Sequence, residues 1–162
     1  MAVMESYLPS KVEELYDPIR QKWMVATPEE IVRQKFIAYL IESRLFPEEV
    51  IAVEKKLSEL PFVKEQKNKV PDRRLDILCF GPQLSYPLFL IECKAIPLSE
   101  KMLSQVWGYN AFIQAPFIAL VNEKEIIMGR EEKGERRYDD FVPKYQNLIE
   151  EYDVCKDLLK KT

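Results

Sequence analysis

Histidine is absent from all 162 residues. Its absence removes Ser-His-Asp and Cys-His catalysis, histidine-ligated zinc, and nucleases that use histidine as base or nucleophile. No GxxxxGK[ST] run occurs, so no phosphate-cradling NTPase loop, and no use of ATP, is expected. No apolar run approaches membrane length. The first residues, MAVMESYLPSKVEELY, lack a basic segment followed by an apolar one, so a signal peptide is not expected. Cysteine is sparse: Cys79, Cys93 and Cys155, an odd number with no CxxC pair. Reduced thiols in a cytoplasmic protein fit this best, each a small buried apolar group. Only four glycines stand against eleven prolines, which suggests firm loops. The net charge of −3 supplies no global basic field, so any nucleic-acid contact must use a local patch. What remains for chemistry is carboxylates, lysines and a bound hard metal.

The length suits one domain with a real core. Residues 1–26 read as an N-terminal arm, or a short helix around Lys11–Tyr16, and residues 27–162 as the single domain. Thr27-Pro28-Glu29-Glu30 is a helix start, with a capping hydroxyl, proline at the first helical position and acids near the positive dipole end. Apolar spacing carries that helix to about Ser43. Pro47-Glu48-Glu49 marks a turn or a short new helix. Ile51–Leu57 reads as a strand, with a helical end as the alternative. Residues 64–74 form a polar turn. Leu75–Phe80 and Leu88–Ala95 read as strands joined through GPQLSYP as a hairpin. Pro97 and Ser99 open another helix, which Pro116 closes. Phe117–Val121 and Glu125–Gly129 read as two more strands. REEKGERRYDD follows as a solvated loop, and an amphipathic helix carrying Tyr145, Leu148, Ile149, Tyr152, Cys155 and Leu159 ends the chain. The order α, β, β, β, α, β, β, α predicts an α/β or α+β domain, a mixed sheet with helices on its faces.

Three ionisable groups interrupt the two central apolar runs. Strand side chains alternate faces, so Asp76, Leu78 and Phe80 share one face, as do Leu88, Leu90, Glu92 and Lys94. An antiparallel hairpin sets the start of one strand against the end of the other, which gathers Asp76, Glu92 and Lys94. Two carboxylates and the backbone carbonyl of Cys93 make a hard oxygen site suited to Mg²⁺ or Mn²⁺. A lysine beside such a metal can orient or deprotonate a water, or stabilise charge on a phosphate. That chemistry permits metal-assisted phosphodiester hydrolysis. The plainer alternative for Glu92 and Lys94 is a salt bridge or an exposed strand end.

The pattern of an aspartate, a strand and turn, then Glu-x-Lys resembles the core signature of the PD-(D/E)xK nuclease superfamily. RRLDILCF, LFLIECKA, Gln105-Val106-Trp107-Gly108-Tyr109-Asn110 and APFIALVN resemble the N-terminal nuclease domain of type I restriction enzyme restriction subunits. Gln105 and Tyr109 match the Q-x-x-x-Y motif that follows the E-x-K strand there. The resemblance runs from about Thr27 to Gly129. It implies a restriction-endonuclease-like core and Mg²⁺-dependent cleavage of DNA. It implies that Asp76 and Glu92 are metal ligands and Lys94 the catalytic lysine. Gln105 and Tyr109, one helical turn apart, would support the site or touch the nucleic-acid backbone. Many members add a metal-assisting glutamate on the first helix, here Glu30; Glu54 is another carboxylate able to approach. The literal Pro-Asp pair is Pro71-Asp72, but Asp76 lies inside the apolar run and is the expected ligand. Type I subunits carry an ATP-driven motor after this domain; a chain of this length is expected to be the nuclease-like part without it.

Lys64, Lys67, Lys69, Arg73 and Arg74 exceed Glu65 and Asp72 by three charges (five minus two). They form either a solvated loop or a phosphate-contacting edge, for which Lys67, Lys69, Arg73 and Arg74 are the candidates. Trp23 and Trp107 read as core or partner surface. A homodimer or a larger restriction or repair complex is the expected assembly. The competing reading is a non-catalytic nucleic-acid- or protein-binding module on a nuclease fold.

Overall fold

Thr27 caps the first helix: its hydroxyl accepts the Glu30 N–H at 3.1 Å, and Pro28 takes the first turn, where a missing N–H costs nothing. In the structure, a computed structural model that describes residues 13–60, 63 and 70–160, this helix is α1, Pro28–Ala38, and a wider turn extends it through Tyr39–Ser43. The described strands, in chain order, are β1 (Glu14–Asp17), β2 (Lys22–Val25), β3 (Ile51–Lys56), β4 (Arg74–Phe80), β5 (Pro87–Cys93), β6 (Phe117–Val121), β7 (Ile126–Glu132) and β8 (Glu135–Asp139). From β3 to β8 they form one six-stranded sheet in chain order. All neighbours in it are antiparallel except β5 and β6. A parallel pair needs a crossover, and α2, Glu100–Ile113, supplies it. Ser99 caps α2, accepting the Met102 N–H at 3.3 Å. Its end is fixed by left-handed Gln114 and by buried Asn110, which bonds both polar groups of the Ala115 backbone. The last helix, α3, is Tyr145–Lys160.

The sheet is covered on both faces. Val32, Phe36 and Ile37 of α1 and Leu148 and Ile149 of α3 pack with Ile77, Phe89, Ile91 and Ala119. Val106, Trp107 and Ile113 of α2 pack with Leu78, Leu90, Ile118 and Leu120 on the other. This is the expected mixed sheet with helices on its faces. Among the described residues no helix is long and apolar enough to cross a membrane.

Four expectations need correction. The segment read as an arm or short helix is a hairpin where described, with β1 paired to β2. Buried Asp17 holds its turn by accepting the Ile19 and Arg20 N–H groups at 2.8 and 3.1 Å. The segment read as a solvated loop is the β7–β8 hairpin, zipped by cross-strand charge pairs such as Arg137–Glu132 at 3.0 Å. Leu88 does not share a face with Leu90. Cys79 opposes Phe89 and Phe80 opposes Pro87, so Leu88 is the extra residue of a bulge and turns to the other face. Cys79 and Cys93 are buried as expected, but Cys155 is exposed. Of the aromatic pair, Trp107 is buried, whereas Trp23 is 65% exposed.

Gly81 closes the β4–β5 turn under the ring of Tyr86, and a methyl built on it overlaps that ring. The ring cannot swing away freely, because Tyr152 stacks on it at 4.2 Å. Gly81→Ala is expected to cost about 1–3 kcal/mol through overpacking, read as a lower urea midpoint with an unchanged slope.

Candidate active site

Three neighbouring strands bring three carboxylates into a row. The pairs Val53↔Ile77 and Lys55↔Leu75 leave Glu54 opposite Asp76. The pair Ile77↔Ile91 places Glu92 beside Asp76 on the other side. The β4–β5 ladder stops there. The next inward amide, that of Cys93, donates instead to Asp76 Oδ2 at 2.8 Å. The other oxygen, Oδ1, accepts from Arg33 Nη2 at 2.7 Å. Asp76 is thus clamped from two sides by charge-assisted bonds. Glu54 sits at φ 57°, a left-handed conformation rare for a side-chain-bearing residue inside a strand. There its carboxylate reaches the same Arg33 nitrogen at 2.6 Å.

Glu92 is 2% exposed, and its Oε1 has no hydrogen-bond partner among the described residues. Burial, then the charge of Asp76 alongside, pushes its pKa up to about 8. Arg73 and Lys94 pull the other way and are outweighed. Arg73 Nη2 stands 3.6 Å from Glu92 Oε2, and its guanidinium lies 4.5 Å over the ring of Tyr109. Arg73 therefore joins the tyrosine of the Q-x-x-x-Y pattern to the glutamate of E-x-K. Lys94 follows β5, half-buried, its N–H held by the Val121 carbonyl at 2.8 Å. Among the described residues its ammonium makes no ion pair.

The other expected residues fall as follows. Gln105 is exposed on α2, and Tyr109, one turn on, packs against the α2-side core. Asp72 is exposed ahead of β4, whereas Asp76 is buried between the other carboxylates. Glu30 meets Asp76 only through Arg33: its Oε2 takes Arg33 Nη1, and its Oε1 takes Arg20 Nη2 and the Gln34 amide, the last at 2.9 Å. Lys67 and Lys69 lie outside the described residues. Arg74 is exposed, and its Nη1 donates to the Glu54 carbonyl at 3.2 Å.

Arg33 is the residue that sequence reasoning missed. It lies on the buried side of α1, 6% exposed, beside Val32 and Phe36. Burial works against its charge, but Asp76, Glu30 and Glu54 outweigh burial and hold its pKa above the usual arginine value. The only local trace is a basic residue one turn after an acidic one, which by itself reads as an ordinary helix-surface pair.

The model of the family described as type I restriction enzyme R protein N terminus matches residues 28–143. The chain belongs to this family. The match spans α1 through β8 and so contains the whole carboxylate row. No curated protein matches. Among solved structures, the chain is similar to a DUF820 protein from Anabaena variabilis, whose name gives nuclease as a provisional assignment. The identity is 14%, over 88% of this chain and 93% of that one, with a TM-score of 0.44.

Proposed function

We propose that this domain is a Mg²⁺- or Mn²⁺-dependent endonuclease that hydrolyses DNA phosphodiester bonds. The observation that carries the reading is the buried Asp76–Glu92 pair with one Glu92 oxygen unpartnered. Two carboxylates side by side repel, and a buried lone pair without a partner costs free energy. A small divalent cation relieves both. Mg²⁺ usually takes one or two carboxylates and completes its shell with water and phosphate, so a pair of carboxylates is enough to hold it. Asp76 and Glu92 would hold the ion, with the Cys93 carbonyl as the neighbouring oxygen. When bound, it would stabilise the charge that develops on the phosphate.

The chain's own residues supply the rest. Lys94, at the open end of β5, orients the attacking water and handles its proton at Nζ. Arg73 stands beside Glu92 and, resting on Tyr109, is placed to turn to a phosphate oxygen. Arg74 extends the positive edge, and Gln105 and Tyr109 support the site from α2. Cutting both strands of a duplex calls for two such sites, from a second copy or a larger restriction or repair assembly.

One observation favours a second reading, a binding module without catalysis: guanidinium groups already stand at both carboxylates. Mn²⁺ calorimetry paired with nicking of supercoiled plasmid separates the two. The wild type is expected to bind Mn²⁺ and nick, and Asp76→Asn to do neither. A wild type that binds no Mn²⁺ at millimolar concentration, with or without DNA, would overturn the catalytic reading.

A further inference from the structure

We infer that Arg33 is a positioning residue of the carboxylate site, a resident cation that clamps Asp76 and Glu54 and holds down the site's affinity for free divalent metal. The catalytic part of this inference rests on the nuclease reading; the clamp itself does not.

One nitrogen, Nη2, bridges two strands. It stands 2.7 Å from Asp76 Oδ1 and 2.6 Å from Glu54 Oε1. The other, Nη1, is anchored on Glu30 Oε2. Glu30 is anchored in turn by Arg20, and Arg20 by Asp17 of the N-terminal hairpin. The chain of alternating charges therefore runs from the β1–β2 turn to β3 and β4. A planar guanidinium suits such a task, because its donors are fixed in one fork and its charge cannot be lost. With the Cys93 N–H on Oδ2, the Asp76 carboxylate has one direction of approach taken on each oxygen. Roughly four lone-pair positions exist on a carboxylate, so one on each oxygen stays free for a further cation. That cation would then share Asp76 with a fixed positive charge, and the repulsion at such short range is large. Substrate phosphate, bringing negative charge, offsets the repulsion, which ties firm metal binding to the presence of DNA.

The full chain is tested as Arg33→Met, which removes charge and fork, and Arg33→Lys, which keeps charge and loses the fork. Two readouts need no catalysis: exchange of the Cys93 amide in metal-free protein, and the Kd for Mn²⁺ without DNA. In Arg33→Met the Cys93 amide should exchange ~10-fold faster as the Asp76 clamp loosens. Mn²⁺ should bind ~10-fold more tightly, because a unit charge beside the ligand has gone. Arg33→Lys should restore the wild-type Mn²⁺ affinity but not the Cys93 protection. A residue that only supports the fold would weaken metal binding in both variants. An unchanged Cys93 amide in a folded Arg33→Met protein overturns the clamp, and weaker Mn²⁺ binding there overturns the resident-cation role. If Arg33→Met does not fold, full Cys93 protection in Arg33→Lys overturns the clamp. A wild type that binds no Mn²⁺ with or without DNA, yet whose Cys93 amide responds to Arg33→Met, sinks the nuclease reading and leaves the clamp standing.

Discussion

Glu92→Gln is expected to stabilise the metal-free protein above neutral pH and, in the same molecule, to abolish strand cleavage. Burial and the adjacent Asp76 charge push the Glu92 pKa up to about 8, from an unperturbed 4.5. A carboxyl whose folded pKa lies above its unfolded one binds more protons in the native state between those two values. Stability is then fully present below about 4.5 and is lost as the pH rises through about 8. The full shift corresponds to at most roughly 4–5 kcal/mol at 1.36 kcal/mol per pH unit. Glutamine has the same shape and cannot ionise. At pH 5 the variant and the wild type should melt within a degree or two of each other. At pH 9 the variant should melt about 10 °C higher, using the usual 2–4 °C per kcal/mol for this size. Thermal melts across pH 5–9, made with chelator, check this. Saturating Mn²⁺ should raise the wild-type melting point at pH 8, since a ligand of the native state stabilises it by mass action. It should leave Glu92→Gln nearly unmoved. Identical pH profiles for the two proteins would show that Glu92 is comfortably ionised, and the strained carboxylate pair would have to be given up.

The same pair explains how much of the site was legible in the sequence. Charge inside an apolar strand is costly unless partnered, so Asp76 in RRLDILCF and Glu92 in LFLIECKA stand out against their surroundings. Strand alternation and an antiparallel turn then suffice to bring them together. The helices α1 and α2 announce themselves through Thr27-Pro28 and Ser99, whose hydroxyls do cap them. The β8 strand cannot be read that way. ERRYD has no apolar alternation, and its register comes from charges on the facing strand, Arg136 with Glu131 and Arg137 with Glu132. The first hairpin is hidden for a related reason. Its strands are four residues long and mostly exposed, and its turn depends on the side chain of Asp17. Arg33 is illegible because Glu30 and Arg33, three apart on a helix, look like an ordinary surface pair. Only the docking of α1 on the sheet reveals that Asp76 and Glu54, 43 and 21 positions away (76 − 33 and 54 − 33), complete its coordination. A tertiary charge network has no local signature, whereas a charge stranded in a strand does.

Removing the amine of Lys94 should slow catalysis strongly while leaving both metal-ligand candidates in place. Lys94→Ala is expected to slow plasmid nicking ~10²–10⁴-fold, the range for losing a positioned proton-handling group. Mn²⁺ affinity should hold or rise slightly, because a positive charge that now acts on Glu92 disappears. The fold should be untouched, since Lys94 is half-buried and its backbone N–H bond to the Val121 carbonyl does not involve the side chain. The informative comparison is Lys94→Arg. A guanidinium keeps the charge but does not surrender a proton near neutral pH. If Lys94 works by handling the proton of the attacking water, Lys94→Arg should be nearly as slow as Lys94→Ala. If it works as a fixed charge facing the phosphate, Lys94→Arg should recover most of the rate. Quenched time courses at saturating Mn²⁺ distinguish the two, provided that wild-type nicking is first shown to vanish in Asp76→Asn. Lys94→Ala cutting at the wild-type rate would mean that the scission occurs elsewhere. The three charges on the central strands would then be a structural network, with Arg33 and Arg73 as their true partners.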